Sequence, residues 1–451
     1  MTPVSPTGTP AEQRAWEALG GDPSLLASIT HTGPCGLLPA RLPVMDLARG
    51  TVAVCSLAAA ELAAARTGGP LPRVRIDAGA VATAFVSERH LLVDGRAPVS
   101  FAPLSGFWRA ADGWVRTHAN YPHHRKRLLG ALGLPADAGA AAVAGALADR
   151  AAQETEETVY TAGGLAVALR TPEVWAAHPQ GAAVAARPLL TFERTGGGPR
   201  RLPAPASAGL PASGVRVLDL TRVIAGPVAT RTLALLGADV LRIDAPQLPE
   251  SQDAHSDTGF GKRSAVLDLA GRSGRRTFDH LLADADVVVT GYRPGALERF
   301  GLGPQDLAAR RPGVIVAEVS AWGRYGPWAG RRGFDSLVQV ASGIASVEGG
   351  PDGPGVLPAQ ALDHGTGYLL AAAVLRALTE GGGHLAGLAL AGTAAWLLDS
   401  PRYDPRDWLT ETGSPVGRLR HALPPVGFDG GPANWSRPPG TWGSDAPVWA
   451  G

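Results

Sequence analysis

The chain has 451 residues, 45% of them hydrophobic, with 41 Lys plus Arg against 40 Asp plus Glu. That length predicts two or three domains and a large core, and the near-zero net charge gives no ground for nucleic-acid or membrane-surface binding. Only Cys35 and Cys55 occur, in no CxxC spacing, so neither a disulfide framework nor a metal site is expected, and a reducing cytoplasm fits.

In chain order, residues 1–12 are Pro/Thr-rich and read as loose; MTPVSPTGTPAEQ lacks the charged start and apolar middle of a signal peptide. No apolar run is read as reaching the roughly 18 residues of a membrane span. A first region, 13–100, opens with short helix and loop. Asp46 then starts an apolar helix stopped by Thr67-Gly68-Gly69-Pro70, and VRIDAGAVATAFV reads as a strand and a buried segment. A second region, 101–190, reads as a small α+β domain. FWRAADGWVRTH alternates like a hairpin turning at Asp112-Gly113, and helices run from Tyr121 to about Ala176. Residues 191–213, within a Pro/Gly-rich stretch that begins at Arg187, read as a linker.

From 214 to 398 the pattern changes to alternation of strand and helix. VRVLDL, ADVLRID, AVLDL, DVVVT and GVIVAEVS are apolar strands, separated by helices such as AGPVATRTLALLG and SGRRTFDHLLADA. Such alternation predicts an α/β fold, a Rossmann-like parallel sheet with flanking helices. Asp363 opens another apolar helix, ended by Gly381-Gly382-Gly383, and the tail 399–451 reads as irregular chain wrapped over the surface. An internal repeat is visible: LLASITHTGPCGLLPARLPVMDLARG resembles GIASVEGGPDGPGVLPAQALDHGTG. Asp46 aligns with Asp363 and Gly50 with Gly367, both at an offset of 317 residues.

Several common chemistries are missing from the sequence. There is no GxGxxG after a strand, no GxxxxGK[ST], no GxSxG and no HExxH. Arg293 and Arg299, in GYRPGALERFGL, follow a buried strand, where an open parallel sheet binds ligands and where guanidinium groups suit phosphates. Lys262 and Arg263 precede the AVLDL strand and join this basic set. His123-His124, in PHHRKR, has the composition of a phosphate patch, but a solvated helix start is the preferred reading.

The blocks LDLTRVIAGP, LLGADVLRID, GKRSAVLDL, VVVTGYRPGALERFGL and SAWGRYGPWAGRRGFDSLVQVASG, in this order, resemble the class III CoA-transferases, whose close relatives are the α-methylacyl-CoA racemases. GWVRTHANYPHHRKRLLGALGLP resembles the start of that family's small domain but precedes the sheet here, so the chain resembles a rearranged tandem form. The resemblance implies an acyl-CoA:carboxylate CoA-transferase in which Asp363 attacks the thioester. It implies CoA contacts at Val223, Leu267, Tyr292, Arg299 and Arg332, with the two arginines serving the phosphates. It also implies acyl-CoA and a carboxylic acid as substrates, no tightly bound cofactor, and a homodimer. Gly291, Ala270 and Ala245 depart from the family pattern. Asp46 is a second candidate carboxylate. The physical expectation for Asp363 is a carboxylate held ionised by helix-start N–H groups, with nearby glycines letting backbone donors reach an oxyanion. Alternatives are an acyl-CoA racemase or isomerase, disfavoured because Phe334 stands where the racemases carry a His, and a catalytically inactive scaffold. His364 follows Asp363 but points about 100° away on the helix.

Overall fold

The computed structural model describes residues 9–98, 101–196, 205, 209–397 and 408–449. Its centre is a seven-stranded sheet. In chain order the strands are β1 (Leu190–Arg194), β2 (Arg216–Leu220), β3 (Asp239–Asp244), β4 (Arg263–Val266), β5 (Val287–Thr290), β6 (Ile315–Ser320) and β7 (His384–Ala389). Their spatial order is β4-β3-β2-β5-β6-β7-β1. All pairs are parallel except β7 with β1. Every residue of β5 and β6 is buried, as expected of strands covered on both faces. The strand order reverses between β2 and β5, which opens a crevice beyond their carboxyl ends.

Four helices matter for the site: α1 (Val44–Thr67), α2 (Ala225–Leu235), α3 (Asp335–Ala341) and α4 (Ala361–Thr379). α1 and α4 are apolar on nearly all sides, the pattern of a helix enclosed by protein. They pack against each other, and α4 also packs on α2. Gly68, at φ 68°, ends α1 in the left-handed region, a conformation glycine adopts without a Cβ penalty. By length and composition α1 is apolar enough to cross a bilayer, contrary to the expectation that no such run exists; 83% of its most apolar window is buried inside the protein. The repeat seen in the sequence has a structural counterpart. α1, Val74–Asp77 and Ala78–Ala84 follow one another as α4, β7 and Leu390–Trp396 do, whereas Ile29–Thr32 aligns with the end of the helix Ile344–Val347 and not with a strand.

Residues 107–168 carry a separate three-stranded sheet over its own apolar cluster, including Val115, Leu128, Val143 and Val159. The hairpin is present, but Ala110 pairs with Gly113, so the turn residues are Ala111 and Asp112. Strands that went unread in the sequence include β7, Ala166–Ala168, β1 at the start of the expected linker, and the hairpin Leu409–Ser414 with Gly417–Ala422 inside the expected irregular tail. Each is short or weakly patterned and is defined by a partner strand, in the last case one that includes Leu92–Val93. Residues 1–8 of the expected loose N-terminus, most of TGGGPRRLPAPASAGLP and the start of the tail fall outside the described residues, but residues 9–12 are not loose: Thr9 caps a helix, Pro10–Ala18, through a capping box with the buried Glu12.

Candidate active site

The carboxyl ends of β2 to β6 open into one cleft of about 630 Å³. Its lining contains Asp363 and all five expected contact residues, Val223, Leu267, Tyr292, Arg299 and Arg332. The parallel sheet is the reason. Each strand ends on the same edge, so residues from 223 to 299 are delivered to one crevice, while α4 brings Asp363 in from behind. Val223 has φ 71°, a strained value for a β-branched residue and one that marks sites held by their surroundings. Ala245, Ala270 and Gly291 also line the cleft.

Asp363 lies in the first turn of α4 and is only 5% exposed. Its backbone N–H and that of Leu362 both donate to Asp335 Oδ2, at 3.0 and 2.9 Å. Asp335 is fully buried, and Gln339 donates to its other oxygen. The helix-start donors are therefore used by Asp335 and do not hold the Asp363 carboxylate. Burial, the neighbouring Asp335 and then Glu88 push the Asp363 carboxyl well above the usual carboxylate range. Burial also pushes Asp335 up, to about 6. The expected ionised helix-cap carboxylate is thus corrected to a carboxyl that holds its proton more tightly than an exposed one. The glycines that follow it are packing residues, not oxyanion cradles. A Cβ on Gly367 would lie 2.6 Å from Ala225 O, and one on Gly365 would touch Leu47. His364 turns away, its Nε2 3.4 Å from Glu88 and its ring stacked on Phe85.

The rest of the lining is mixed, with Asp244, Asp268 and apolar side chains beside a set of arginines. Arg127, Arg293, Arg299 and Arg332 border the cleft, and among the described residues none of them forms an ion pair. Burial, then Arg293 and Arg127, lower the pKa of Arg332, the mark of a cation facing like charges. Arg222 differs, because Glu250 neutralises it at 3.3 Å. Glu250 also accepts from the Tyr121 hydroxyl at 3.0 Å, and Tyr160 donates to Arg332 O at 2.9 Å. These two bonds dock the small sheet-and-helix unit along the cleft. That unit contributes Tyr121, His123, His124 and Arg127, which the sequence reading left as a solvated helix start. His124 is 3% exposed and in edge contact with Phe334, while His118 stacks on Phe334 at 3.7 Å. Their docking depends on contacts more than 120 residues apart in sequence, and the adjacency of PHHRKR to a hairpin was the one local hint.

Two basic residues expected near the ligand lie elsewhere. Lys262 is fully buried against Asp219 at 3.0 Å, and Arg263 pairs with Asp239 at 2.6 Å. Lys262 Nζ also bonds Pro227 O and Thr230 Oγ1 beneath the start of α2, and neither residue lines the cleft. Asp46 is exposed on α1 and does not line the cleft. Its helix is buried against α4, but its own side chain faces outward. Among the described residues no cluster of three or more His, Cys, Asp or Glu is placed to hold a metal ion.

Comparison with known proteins adds an independent view. Residues 212–439 match the model of CoA-transferase family III. The chain is 35% identical over 235 residues to the acetyl-coenzyme A transferase nodX of Hypoxylon pulicicidum, covering 49% of this chain and 40% of that one. It is 36% identical over 182 residues to a probable fatty acyl-CoA transferase of Mycobacterium tuberculosis, covering 37% and 46%. It is 33% identical over 183 residues to the succinyl-CoA:glutarate CoA-transferase of Mus musculus, covering 38% and 42%. The chain thus spans less than half the length of each of these relatives. A crystal structure of a hypothetical protein from Mycobacterium tuberculosis aligns with TM-score 0.39 at 35% identity, over 41% of this chain and 56% of that one.

Proposed function

Since the chain belongs to CoA-transferase family III, we propose that it moves CoA from an acyl-CoA thioester to a carboxylic acid, with Asp363 as the nucleophile. The observation that carries this is the shared cleft: the buried Asp363 carboxyl and four arginines, Arg127, Arg293, Arg299 and Arg332, that form no ion pair among the described residues, at the strand ends of a parallel sheet. Unpaired guanidinium groups suit the phosphates of CoA, and the thioester reaches toward Asp363.

The ionised oxygen of Asp363 attacks the thioester carbonyl carbon, the C–S bond breaks, and CoA leaves as thiolate. The mixed anhydride is attacked by that thiolate at the aspartyl carbonyl, releasing the donor acid as its carboxylate and leaving an aspartyl-CoA thioester. The acceptor carboxylate attacks this thioester, the expelled thiolate takes the acceptor's acyl carbon, and the Asp363 carboxylate is restored. Four easier acyl displacements replace one direct exchange. The burial that raises the Asp363 pKa also makes its ionised form a stronger base and nucleophile. Asp335 fixes the backbone of the first turn of α4 through two N–H bonds and so orients the nucleophile.

Incubation with acetyl-CoA or succinyl-CoA in hydroxylamine, followed by mass mapping, tests this. A hydroxamate on Asp363, lost in Asp363→Ala and retained in Asp46→Ala, supports it. Deuterium exchange at the α-carbon with no adduct supports a racemase instead, a reading that the His118 and His124 rings beside Phe334 keep open. Neither outcome, with no CoA binding, supports the scaffold.

The finer organisation is part of the same proposal. Residues 13–100 repeat the rear half of the catalytic unit, giving a rearranged tandem form, and the repeated helix–strand–helix order supports it. The protein works as a cytoplasmic homodimer, which light scattering on the purified protein tests.

A further inference from the structure

We propose that His123, Lys126 and Arg127, on the helix Pro122–Leu132, form a second phosphate-binding face that clamps the nucleotide end of CoA from the side opposite the sheet. This rests on the cleft being the CoA site. A depression of about 450 Å³ is lined by these three residues with Gly130, Ala131 and Ala162. His123 and Arg127 also line the main cleft, so the two spaces share a wall. No carboxylate borders the depression, and among the described residues none of the three basic side chains forms an ion pair. Arg127 makes one hydrogen bond, to Gly163 O at 3.2 Å, and is otherwise exposed.

The charge arrangement calls for an anion. Arg127 lowers the pKa of Arg332 from across the cleft, and Arg127, Arg222 and Arg332, after burial, hold the His123 imidazole below its ordinary value. Arg222 has Glu250 as its counter-ion, but Arg127 and Arg332, from two separate units, converge with no ion pair among the described residues, and a phosphate between them removes that repulsion. On the sheet side, Ala245 and Ala270 line the cleft without charge, so positive potential there depends on the arginines and on this helix. The small unit is held in place by the Tyr121–Glu250 and Tyr160–Arg332 bonds, so its basic face is fixed against the sheet.

The test is titration calorimetry of the full chain with CoA, dephospho-CoA and pantetheine. Lys126→Ala/Arg127→Ala and Lys126→Gln/Arg127→Gln are compared with wild type and with Arg332→Ala. Both double variants are expected to bind CoA roughly 10- to 100-fold more weakly, with pantetheine affinity unchanged. A loss confined to CoA identifies the 3′-phosphate as the clamped group, and an equal loss with dephospho-CoA identifies the pyrophosphate. CoA affinity within twofold of wild type, or an equal loss with pantetheine, overturns the clamp. If Arg332→Ala also leaves CoA binding unchanged, the CoA cleft itself is refuted.

Discussion

The first two glycines after Asp363 have opposite predicted responses to the same added methyl group. At Gly367 a Cβ would stand 2.6 Å from Ala225 O and 2.9 Å from Val228 Cβ and Cγ1. Ordinary contacts begin near 3.3–3.5 Å, so α4 and α2 must separate by about 0.6–0.7 Å. Overpacking of this kind costs about 1–3 kcal/mol, and the helix-propensity gain of alanine offsets only about 0.5–1 kcal/mol of it. Gly367→Ala should therefore lose about 1–2 kcal/mol in urea unfolding. Because Gly367 lies one turn after Asp363, the shift also moves the nucleophile, and a misplacement near 1 Å costs on the order of 10²-fold in rate. Hydroxamate formation should fall about 10- to 100-fold. At Gly365 the nearest atoms are Leu47 Cδ2 at 3.4 Å and Thr393 Cγ2 at 3.7 Å, an ordinary fit. Gly365→Ala should keep its rate and gain about 0.5–1 kcal/mol. If both variants shift stability in the same direction, or Gly367→Ala matches the wild type, close packing of α2 on α4 does not position Asp363.

Two further predictions concern charge. The pKa values of Asp363 and Asp335 are raised in the folded chain, so the native state binds more protons than the unfolded one. Their stabilising contribution is complete below the unfolded Asp pKa of about 3.9 and is lost as pH rises through the folded values. Asp363→Asn should thus raise stability at pH 7.5 and change it little at pH 4.5, measured by urea unfolding; equal effects at the two pH values would contradict the raised pKa. Arg332→Ala removes a cation that faces Arg293 and Arg127 and has no acidic partner. The KM for acyl-CoA should rise roughly 10- to 100-fold, while the thermal midpoint holds or increases. A fall in the midpoint would show a structural role for the side chain.

Much of this protein was legible in local sequence. Apolar β-rich runs at helical intervals can only be buried as a parallel sheet between helix layers, and that alternation from Val215 to Ser320 identified five of the six parallel strands. The same logic placed Arg293 and Arg299 at the ligand edge, because every strand of a parallel sheet ends on the same side, whereas Val223, Leu267 and Tyr292 were named by the family resemblance alone. The Asp46 and Asp363 helices were legible by their glycine stops. What only the tertiary structure decided has one physical cause: it depends on neighbours distant along the chain. Strand β1 is a strand because β7 offers a free edge. Asp363 and Asp46 share a local pattern, yet one is buried beside Asp335 and the other faces outward, and a carboxyl's pKa follows its surroundings. Lys262 and Arg299 are equally basic in the sequence, and only the fold buries one against Asp219 and the start of α2 and leaves the other in the cleft.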